Sequence, residues 1–172
     1  MKALLLAQFD AEMRLTRAVL DAVPADHLDW TPHARAFPLG RLAMHVATIP
    51  GWMRAFTEGD GYDMGPSGPG PATPTDLAQV TAAFVQSEAR GRAALDACLD
   101  SALLEPWILR RHGAVLSTMP RAEAVSRFSL RHLVHHRGQL TVYLRWLNVP
   151  VPALYGDSAD AQLAPDEPDA TR

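Results

Sequence analysis

Apolar side chains recur at three- and four-residue steps in four stretches of the chain, the period of an amphipathic α-helix. The first predicted helix runs from Lys2 to Val23 and is ended by Pro24. Its periodic positions are Leu5, Phe9, Met13, Thr16, Leu20 and Val23. The second is predicted over residues 39–58, with a bend at Pro50 and Gly51 inside it.

The third predicted helix begins with a recognisable start signal. Thr73 is the predicted N-cap, Pro74 suits the first helical position, and Asp76 lies in the first turn. Apolar residues at helical spacing continue from there to about Leu99. We therefore expect a long helix over residues 73–99.

The last helix is preceded by a segment with a different pattern. Between Leu103 and Met119 the helical period is lost, and we expect a short irregular or hairpin excursion around His112-Gly113. Pro120 then opens the fourth helix, which is predicted to end near Asn148.

The remaining segments are rich in glycine, proline and small residues. Residues 59–72 predict a long loop that crosses between two helices and contains neither helix nor strand. Residues 157–172 are small, acidic and proline-containing, and are predicted to be a disordered C-terminal tail. The pattern thus predicts one all-α domain over residues 1–156.

Composition and charge narrow the function classes. The chain has 172 residues and a formal net charge of -3, and its basic residues are dispersed, which argues against nucleic-acid binding. Its one cysteine, Cys98, cannot form an intrachain disulfide. No stretch reads as a signal peptide or as the roughly 18 apolar residues that span a membrane. We expect a cytoplasmic protein without a membrane partner.

The candidate functional residues are histidines, which can bind a metal ion. His132 and His136 are four residues apart in the last predicted helix, so both lie on one face and can bind the same metal ion. A helical wheel places them in the middle of the predicted buried face, together with Gln139, Tyr143 and Trp146. No Glu follows His132, so the HExxH zinc-protease motif is absent.

His45 is the best third ligand in the sequence. It lies on the apolar side of the second predicted helix, where a buried imidazole requires a partner. Three neutral histidines would leave at least one coordination position for water or substrate. The alternative is that the three histidines are core residues which bind each other and water.

Four neighbouring side chains are candidates to assist this site. Gln139 is expected to face inward and either to contact a metal-bound ligand or to satisfy another helix. Arg137 is expected to be solvated or in an ion pair between helices, with anionic substrate as the alternative. Tyr143 reads as a core residue, and His135 lies at the edge of the face, as a surface residue or a support for the ligands.

Two parts of the chain together resemble the DinB-like family. The residues that carry the resemblance are DWTPH at 29–33, LAMHVATIPGW at 42–52, HLVHHRGQLTVYLR at 132–145 and VPVPALYG at 149–156. The resemblance implies a four-helix bundle with a long crossing connection, usually dimeric. The family's three-histidine metal site corresponds to His45, His132 and His136.

The resemblance also limits the function classes. It implies a metalloenzyme, and some of the family's members are thiol transferases that use low-molecular-weight thiols such as bacillithiol or mycothiol. Together with the open three-histidine site, this favours a metal-dependent hydrolase or thiol (S-)transferase that acts on a small molecule. A non-catalytic, stress-related metal- or ligand-binding protein is the alternative. An all-histidine ligand set favours Zn or Ni, with Fe and Mn as further candidates.

Overall fold

The structure, a computed structural model that describes residues 1–65 and 72–162, is mostly helical with a small three-stranded sheet. No helix within the described ranges has the length and apolar character needed to cross a membrane. The helices and strands are α1 (Lys2–Asp21), α2 (Leu39–Thr48), α3 (Met53–Thr57), β1 (Gly61–Met64), α4 (Leu77–Ala97), β2 (Pro106–Arg111), β3 (Ala114–Pro120), α5 (Arg121–Val125), α6 (Arg131–Trp146) and α7 (Ala159–Gln162).

The long helices enclose the hydrophobic core. α4 packs against α1 and α2, and α6 packs against the same two helices. The periodic stripe predicted for α1 is buried from Leu5 to Leu20, which confirms its helical reading. The core also takes apolar side chains from every other long helix, among them Leu42, Val46, Phe84, Leu95, Leu133 and Leu140.

A bend after α2 follows the prediction from Pro50 and Gly51. The α-helix gives way to a 3₁₀ turn, Ile49–Trp52, before the chain continues as α3. Gly91 of α4 lies directly behind this turn, because a Cβ at that position would collide with the carbonyl group of Pro50. The close approach fixes the bend against α4 and turns Trp52 toward the side of α2 that carries His45.

The hairpin expected before the last helix is present as β2 and β3, which pair antiparallel. Its two-residue loop, His112-Gly113, has positive φ at both positions (50° and 79°), as a type I′ turn requires. Trp107 of β2 is fully buried, and its indole N–H donates to the carbonyl of Ala55 at 2.9 Å. The hairpin is thereby anchored on α3.

The prediction of a purely all-α chain is wrong, because β1 pairs in parallel with β2. β1 lies inside the segment 59–72, which was predicted to contain no strand, and residues 66–71 of that segment are outside the described part. At Gly61 a Cβ would overlap the carbonyl of Ile108, so glycine permits the close pairing. Pairing between segments so distant in sequence leaves no local periodic signal.

The start of α4 differs from the prediction. Asp76, and not Thr73, is the N-cap, and its carboxylate accepts a hydrogen bond from the backbone N–H of Gln79 at 3.0 Å. Asp and Thr are both good N-caps. The choice between them is made by the path of the preceding chain.

The last predicted helix is interrupted. α5 is followed by a π-helical turn, Ser126–Leu130, before α6 begins, and a π turn changes the phase of the residues that follow it. The buried positions of α6 are Leu133, Arg137, Leu140 and Leu144. The predicted inward position of Gln139 and Trp146 is therefore wrong: both side chains are exposed, Trp146 by 70%.

The beginning of the predicted disordered tail is structured. Ala159–Gln162 forms α7, and the carboxylate of Asp160 accepts hydrogen bonds from Arg145 (2.6 and 2.8 Å) and from the backbone N–H of Val151 (2.8 Å). Two donors from different segments thus hold this part of the chain, which composition alone does not reveal. Residues 163–172 lie outside the described residues, and the domain boundary at residue 156 stays a prediction.

Candidate metal centre

Three histidines from two helices converge in the structure. His45 of α2 and His132 and His136 of α6 each have one ring nitrogen within 4.8 Å of the corresponding nitrogens of the other two. The ring centroid of His45 is 5.5 Å from that of His132 and 4.4 Å from that of His136. Their spacing of four residues brings the two α6 histidines together, and the packing of α2 on α6 adds His45.

Both α6 histidines are oriented by an acceptor on the side away from the cluster. Nδ1 of His136 lies 2.7 Å from Oε1 of Gln139, and a carbonyl oxygen only accepts, so the ring donates. The imidazole of His132 bonds to the backbone carbonyl of Phe128. Since its Nε2 faces His136, Nδ1 is the nitrogen that remains for this donation.

The Nε2 atoms of His132 and His136 face each other at 2.7 Å. Each neutral imidazole has one N–H and one bare nitrogen, so one ring can donate to the other, or two bare nitrogens can bind the same cation. The tautomer in which Nδ1 of His136 donates to Gln139 leaves its Nε2 bare. The donor set therefore fits a divalent metal ion, which neutral imidazole nitrogens bind well.

The lowered pKa values of the three histidines also fit metal binding. Burial, followed by the positive charge that His136, His132 and Arg41 can carry, lowers the pKa of His45 from 6.5 to about 4. Burial is also the largest cause that lowers the pKa of His132 and of His136. Near neutral pH all three imidazoles are thus uncharged, the form in which histidine binds metal.

Aromatic side chains form the wall beside the histidines. Trp52, which is 37% exposed, lies with its ring 5.5 Å from that of His45 and 5.3 Å from that of His132. The ring of Phe37 is 6.2 Å from that of His45. The guanidinium of Arg41 stacks over Phe37, 4.5 Å from the ring centre. The site is thus half-buried and bordered by two aromatic rings and one cation.

The four assisting candidates from the sequence take different positions. Gln139 is exposed and accepts a hydrogen bond from Nδ1 of His136. His135 is exposed, with its ring 4.8 Å from that of His136. Tyr143 packs edge-on against Trp30, its hydroxyl donates to the carbonyl of Phe37, and burial raises its pKa.

Arg137, the fourth candidate, lies on another face of α6 from the histidines. It is buried, with 1% exposure, and its guanidinium lies 2.7 Å from the carboxylate of Glu12 on α1. The expected ion pair between helices is confirmed, whereas a solvated position is wrong. Its N–H groups donate to Glu12 and Thr16 of α1 and to the hydroxyl of Tyr155.

Sequence reasoning missed three contributors to this site. The Phe128 carbonyl is a backbone group, and its position depends on the π turn that precedes α6. Phe37 and Arg41 reach the site because the chain folds into α2 directly after Phe37. The only signal in the sequence was the four-residue spacing of Arg41 and His45, which predicts a shared helix face.

Comparisons with known proteins find one family and related folds. A family model of the DinB family matches residues 1–169. A DinB-like protein from Bacillus cereus ATCC 10987 is 23% identical, with 88% of this chain and 95% of that chain covered and a TM-score of 0.68. A DinB-like protein from Bacillus subtilis is 14% identical, with 89% and 97% covered and a TM-score of 0.66.

The two solved structures support the fold and leave the chemistry open, because their identities to this chain are low. A search of curated proteins finds no match to this chain. The candidate site therefore rests on the geometry of its own residues.

Proposed function

Since this chain belongs to the DinB family, we propose that His45, His132 and His136 bind a divalent metal ion and that the protein is a metal-dependent hydrolase or thiol transferase. The observation that carries the proposal is the convergence of one ring nitrogen from each of these three histidines within 4.8 Å of one another. A bound cation would be held by all three nitrogens.

The residues around the cluster have separate tasks in this proposal. Gln139 and the Phe128 carbonyl keep the two α6 imidazoles in the tautomer that presents Nε2. Trp52 and Phe37 border the opening and reduce the access of water to it. When bound, a divalent ion polarises an oxygen- or sulfur-containing group of the substrate and favours its deprotonated form.

We propose Zn or Ni as the metal, with Fe and Mn as further candidates, because imidazole ligands suit all four and no thiolate or carboxylate belongs to the cluster within the described ranges. Three protein ligands leave a position open for a small-molecule substrate, as in catalytic zinc sites. A low-molecular-weight thiol is the proposed substrate, since a thiolate is a strong ligand of zinc.

Elemental analysis of purified protein tests the metal site. We expect near-stoichiometric metal in the wild type after reconstitution and none in the His45→Ala/His132→Ala double variant. His135→Ala is the matched control, because His135 is exposed beside His136 and lies outside the cluster. Equal metal content in the double variant and the control would contradict the proposal, provided that circular dichroism shows the same helix content in both.

A non-catalytic metal- or ligand-binding role is the second candidate. One observation favours it: within the described residues, the cluster consists of His45, His132 and His136, without a carboxylate as a further member that could act as a general base. Turnover of thiol-transfer and ester-hydrolysis substrates by the metal-loaded protein, abolished in His132→Ala, would decide for catalysis.

Two further expectations belong to the same proposal. The four long helical segments that pack around one core are proposed to be a four-helix bundle of the DinB type. The protein is proposed to be a cytoplasmic homodimer, which light scattering behind size-exclusion chromatography would test. A mass close to the 18.7 kDa of a single chain would contradict the dimer.

A further inference from the structure

The outer face of α6 carries apolar surface that no described segment of the chain covers. The core-facing positions of this helix are Leu133, Arg137, Leu140 and Leu144. At about 100° per residue, Val142 lies almost directly opposite them, with Trp146 about one turn later and Gly138 about one turn earlier. Val142 is 53% exposed and Trp146 is 70% exposed. A tryptophan so exposed in the last turn of a long helix needs an explanation from outside the chain.

Gly138 also has no explanation within the described part of the chain. Glycine destabilises a helix interior relative to alanine, so it is normally kept for a positive φ or for the close approach of another segment. Gly138 is not among the positive-φ glycines. Apart from its own helix backbone, an added Cβ would meet no described atom within 4 Å, whereas at Gly91 it would collide with the Pro50 carbonyl. The gap at Gly138 is therefore open to a neighbour.

The gap and the bulky side chain fit each other in a second copy of the chain. Gly138 and Trp146 lie at equal distances on either side of Val142. A pair of antiparallel α6 helices with a two-fold axis at Val142 places Trp146 of the partner subunit over Gly138, and the reverse contact forms at the same time. Bulk then meets a gap twice, as the packing of helix ridges into grooves requires. A parallel pair would instead set bulk against bulk.

The charges along this face favour the same arrangement. Arg145 is paired with Asp160 at 2.6 Å, which neutralises it. Arg131 lies about three helical turns before Val142, so an antiparallel pair puts its two copies at opposite ends of the contact. A parallel pair would bring these two positive charges side by side, which opposes association.

We infer that this face of α6, defined by Gly138, Val142 and Trp146 and named the α6 strip, is the surface through which two copies of the chain pair antiparallel. The inference rests on the homodimer that belongs to the proposed function, and it names the contact. Gly138 is next in the sequence to Gln139, which accepts the hydrogen bond from the metal ligand His136. Trp146 of the partner subunit would therefore lie beside the support of the candidate metal centre.

Light scattering behind size-exclusion chromatography, at several protein concentrations, tests the α6 strip. We expect the wild type at twice the 18.7 kDa of a single chain. Val142→Glu should raise the dissociation constant of the dimer about 100-fold, because it opposes two like charges at the axis. Val85→Glu is the matched control, since Val85 is 49% exposed on α4, and it should keep the wild-type constant. Circular dichroism checks that both variants have the same helix content.

An exchange of two side chains tests the fit of Gly138 with Trp146. Trp146→Gly alone leaves two gaps, and Gly138→Trp alone opposes two pairs of indoles, so each should weaken the dimer about 10-fold or more. Gly138→Trp together with Trp146→Gly restores bulk against gap and should recover most of the wild-type affinity. Recovery that fails while both single variants are impaired would overturn the antiparallel fit.

Disulfide trapping locates the axis, in a Cys98→Ala background that removes the one native cysteine. Val142→Cys should give a covalent dimer on mild oxidation, because a residue on a two-fold axis faces its own copy. Leu4→Cys, at a position of α1 that is 64% exposed, should stay unlinked. Gly138→Cys chains mixed with Trp146→Cys chains should link to each other rather than to themselves, and the reverse preference would overturn the antiparallel arrangement.

The outcomes separate this inference from the rest of the proposed function. A wild-type mass close to that of a single chain would overturn both the α6 strip and the homodimer. A wild-type dimer that Val142→Glu weakens no more than Val85→Glu would overturn the α6 strip alone. Equal linkage of Val142→Cys and Leu4→Cys would do the same, and the homodimer would then use another surface.

Discussion

Two polar clusters meet at neighbouring residues of α6, and they are satisfied in opposite ways. Around Arg137, every group has a partner: its guanidinium bonds to the carboxylate of Glu12, the hydroxyl of Thr16 and the hydroxyl of Tyr155. Tyr155 donates in turn to Glu12. At His136, one residue earlier, the imidazole Nε2 lies 2.7 Å from the Nε2 of another imidazole, that of His132.

The difference separates a structural cluster from a candidate site. The first cluster joins α1, α6 and the segment after α6, and its hydrogen bonds leave nothing for a ligand to contribute. The histidine cluster is held from outside by Gln139 and Phe128, and at its centre three ring nitrogens, all potential metal ligands, converge. Converging metal-ligand atoms that are oriented from outside are the better indicator of ligand binding.

The largest expected effect comes from breaking the satisfied cluster. Arg137→Met would leave the carboxylate of Glu12, which is 16% exposed, without its cationic partner. We expect the free energy of unfolding in urea to fall by about 3 kcal/mol, the lower end of the range for such pairs. The measurement is made with a chelator present, so that metal binding does not contribute.

Two variants control this prediction. Glu12→Gln in the Arg137→Met background should recover part of the loss, because the unpaired charge is then absent. His136→Ala, measured in the same chelator, should cost less than Arg137→Met. The opposite order would show that the histidine cluster, and not the ion pair, stabilises the metal-free fold.

Added metal should stabilise the protein through the histidine cluster and not through the cluster around Arg137. With free zinc at 100 times its dissociation constant, the unfolding free energy of the wild type should rise by about 2.7 kcal/mol, because the folded state alone offers the three converging ligands. In His132→Ala the rise should be lost, and in Arg137→Met it should remain. A rise of equal size in His132→Ala would place the zinc elsewhere.

A smaller effect is expected from Gln139, which orients the metal ligand His136 and should thereby influence metal affinity. Gln139→Leu removes the acceptor of the His136 Nδ1–H bond, and we expect metal affinity to fall about 10- to 100-fold, as for other residues that orient ligands. Stability of the metal-free protein should change little, since Gln139 is exposed. Gln86→Leu, at an exposed position of α4, is the control; the same loss of affinity there would refute the assignment.

Acidification should have the smallest effect on the stability of the metal-free protein. The pKa of His45 is about 4 in the folded protein and 6.5 as its ordinary value, so between these limits the unfolded chain binds a proton that the folded one does not. Stability of the metal-free protein should therefore fall as pH drops from about 6.5 toward 4, and be unaffected by this group above 6.5. We expect a loss of about 1 kcal/mol after allowance for partial exposure.

Urea titrations at several pH values, on the wild type and on His45→Ala, measure this loss. The slope of stability against pH in this interval should be smaller in His45→Ala. An unchanged slope would show that burial of His45 does not oppose its protonation.

Local features of the fold could be predicted where the signal is also local. The α1 stripe, the bend at Pro50 and the hairpin around His112-Gly113 each follow from residues that are close in sequence. The family predicted from the residues is confirmed. β1 was missed because its pairing partner lies far away in sequence. Gln139 was placed wrongly because the helical wheel was centred on His132 and His136, whereas the buried face of α6 is centred on Leu133, Arg137, Leu140 and Leu144.

The sequence by itself determined that His132 and His136 share a face of one helix, because a spacing of four residues imposes this in any α-helix. It also marked His45 as a polar residue on an apolar face. Only the tertiary structure decided that α2 brings His45 to the pair, that Phe128 and Gln139 orient the rings, and that Arg137 turns toward Glu12. These outcomes depend on helix packing and on the π turn, which act between segments that no local pattern connects.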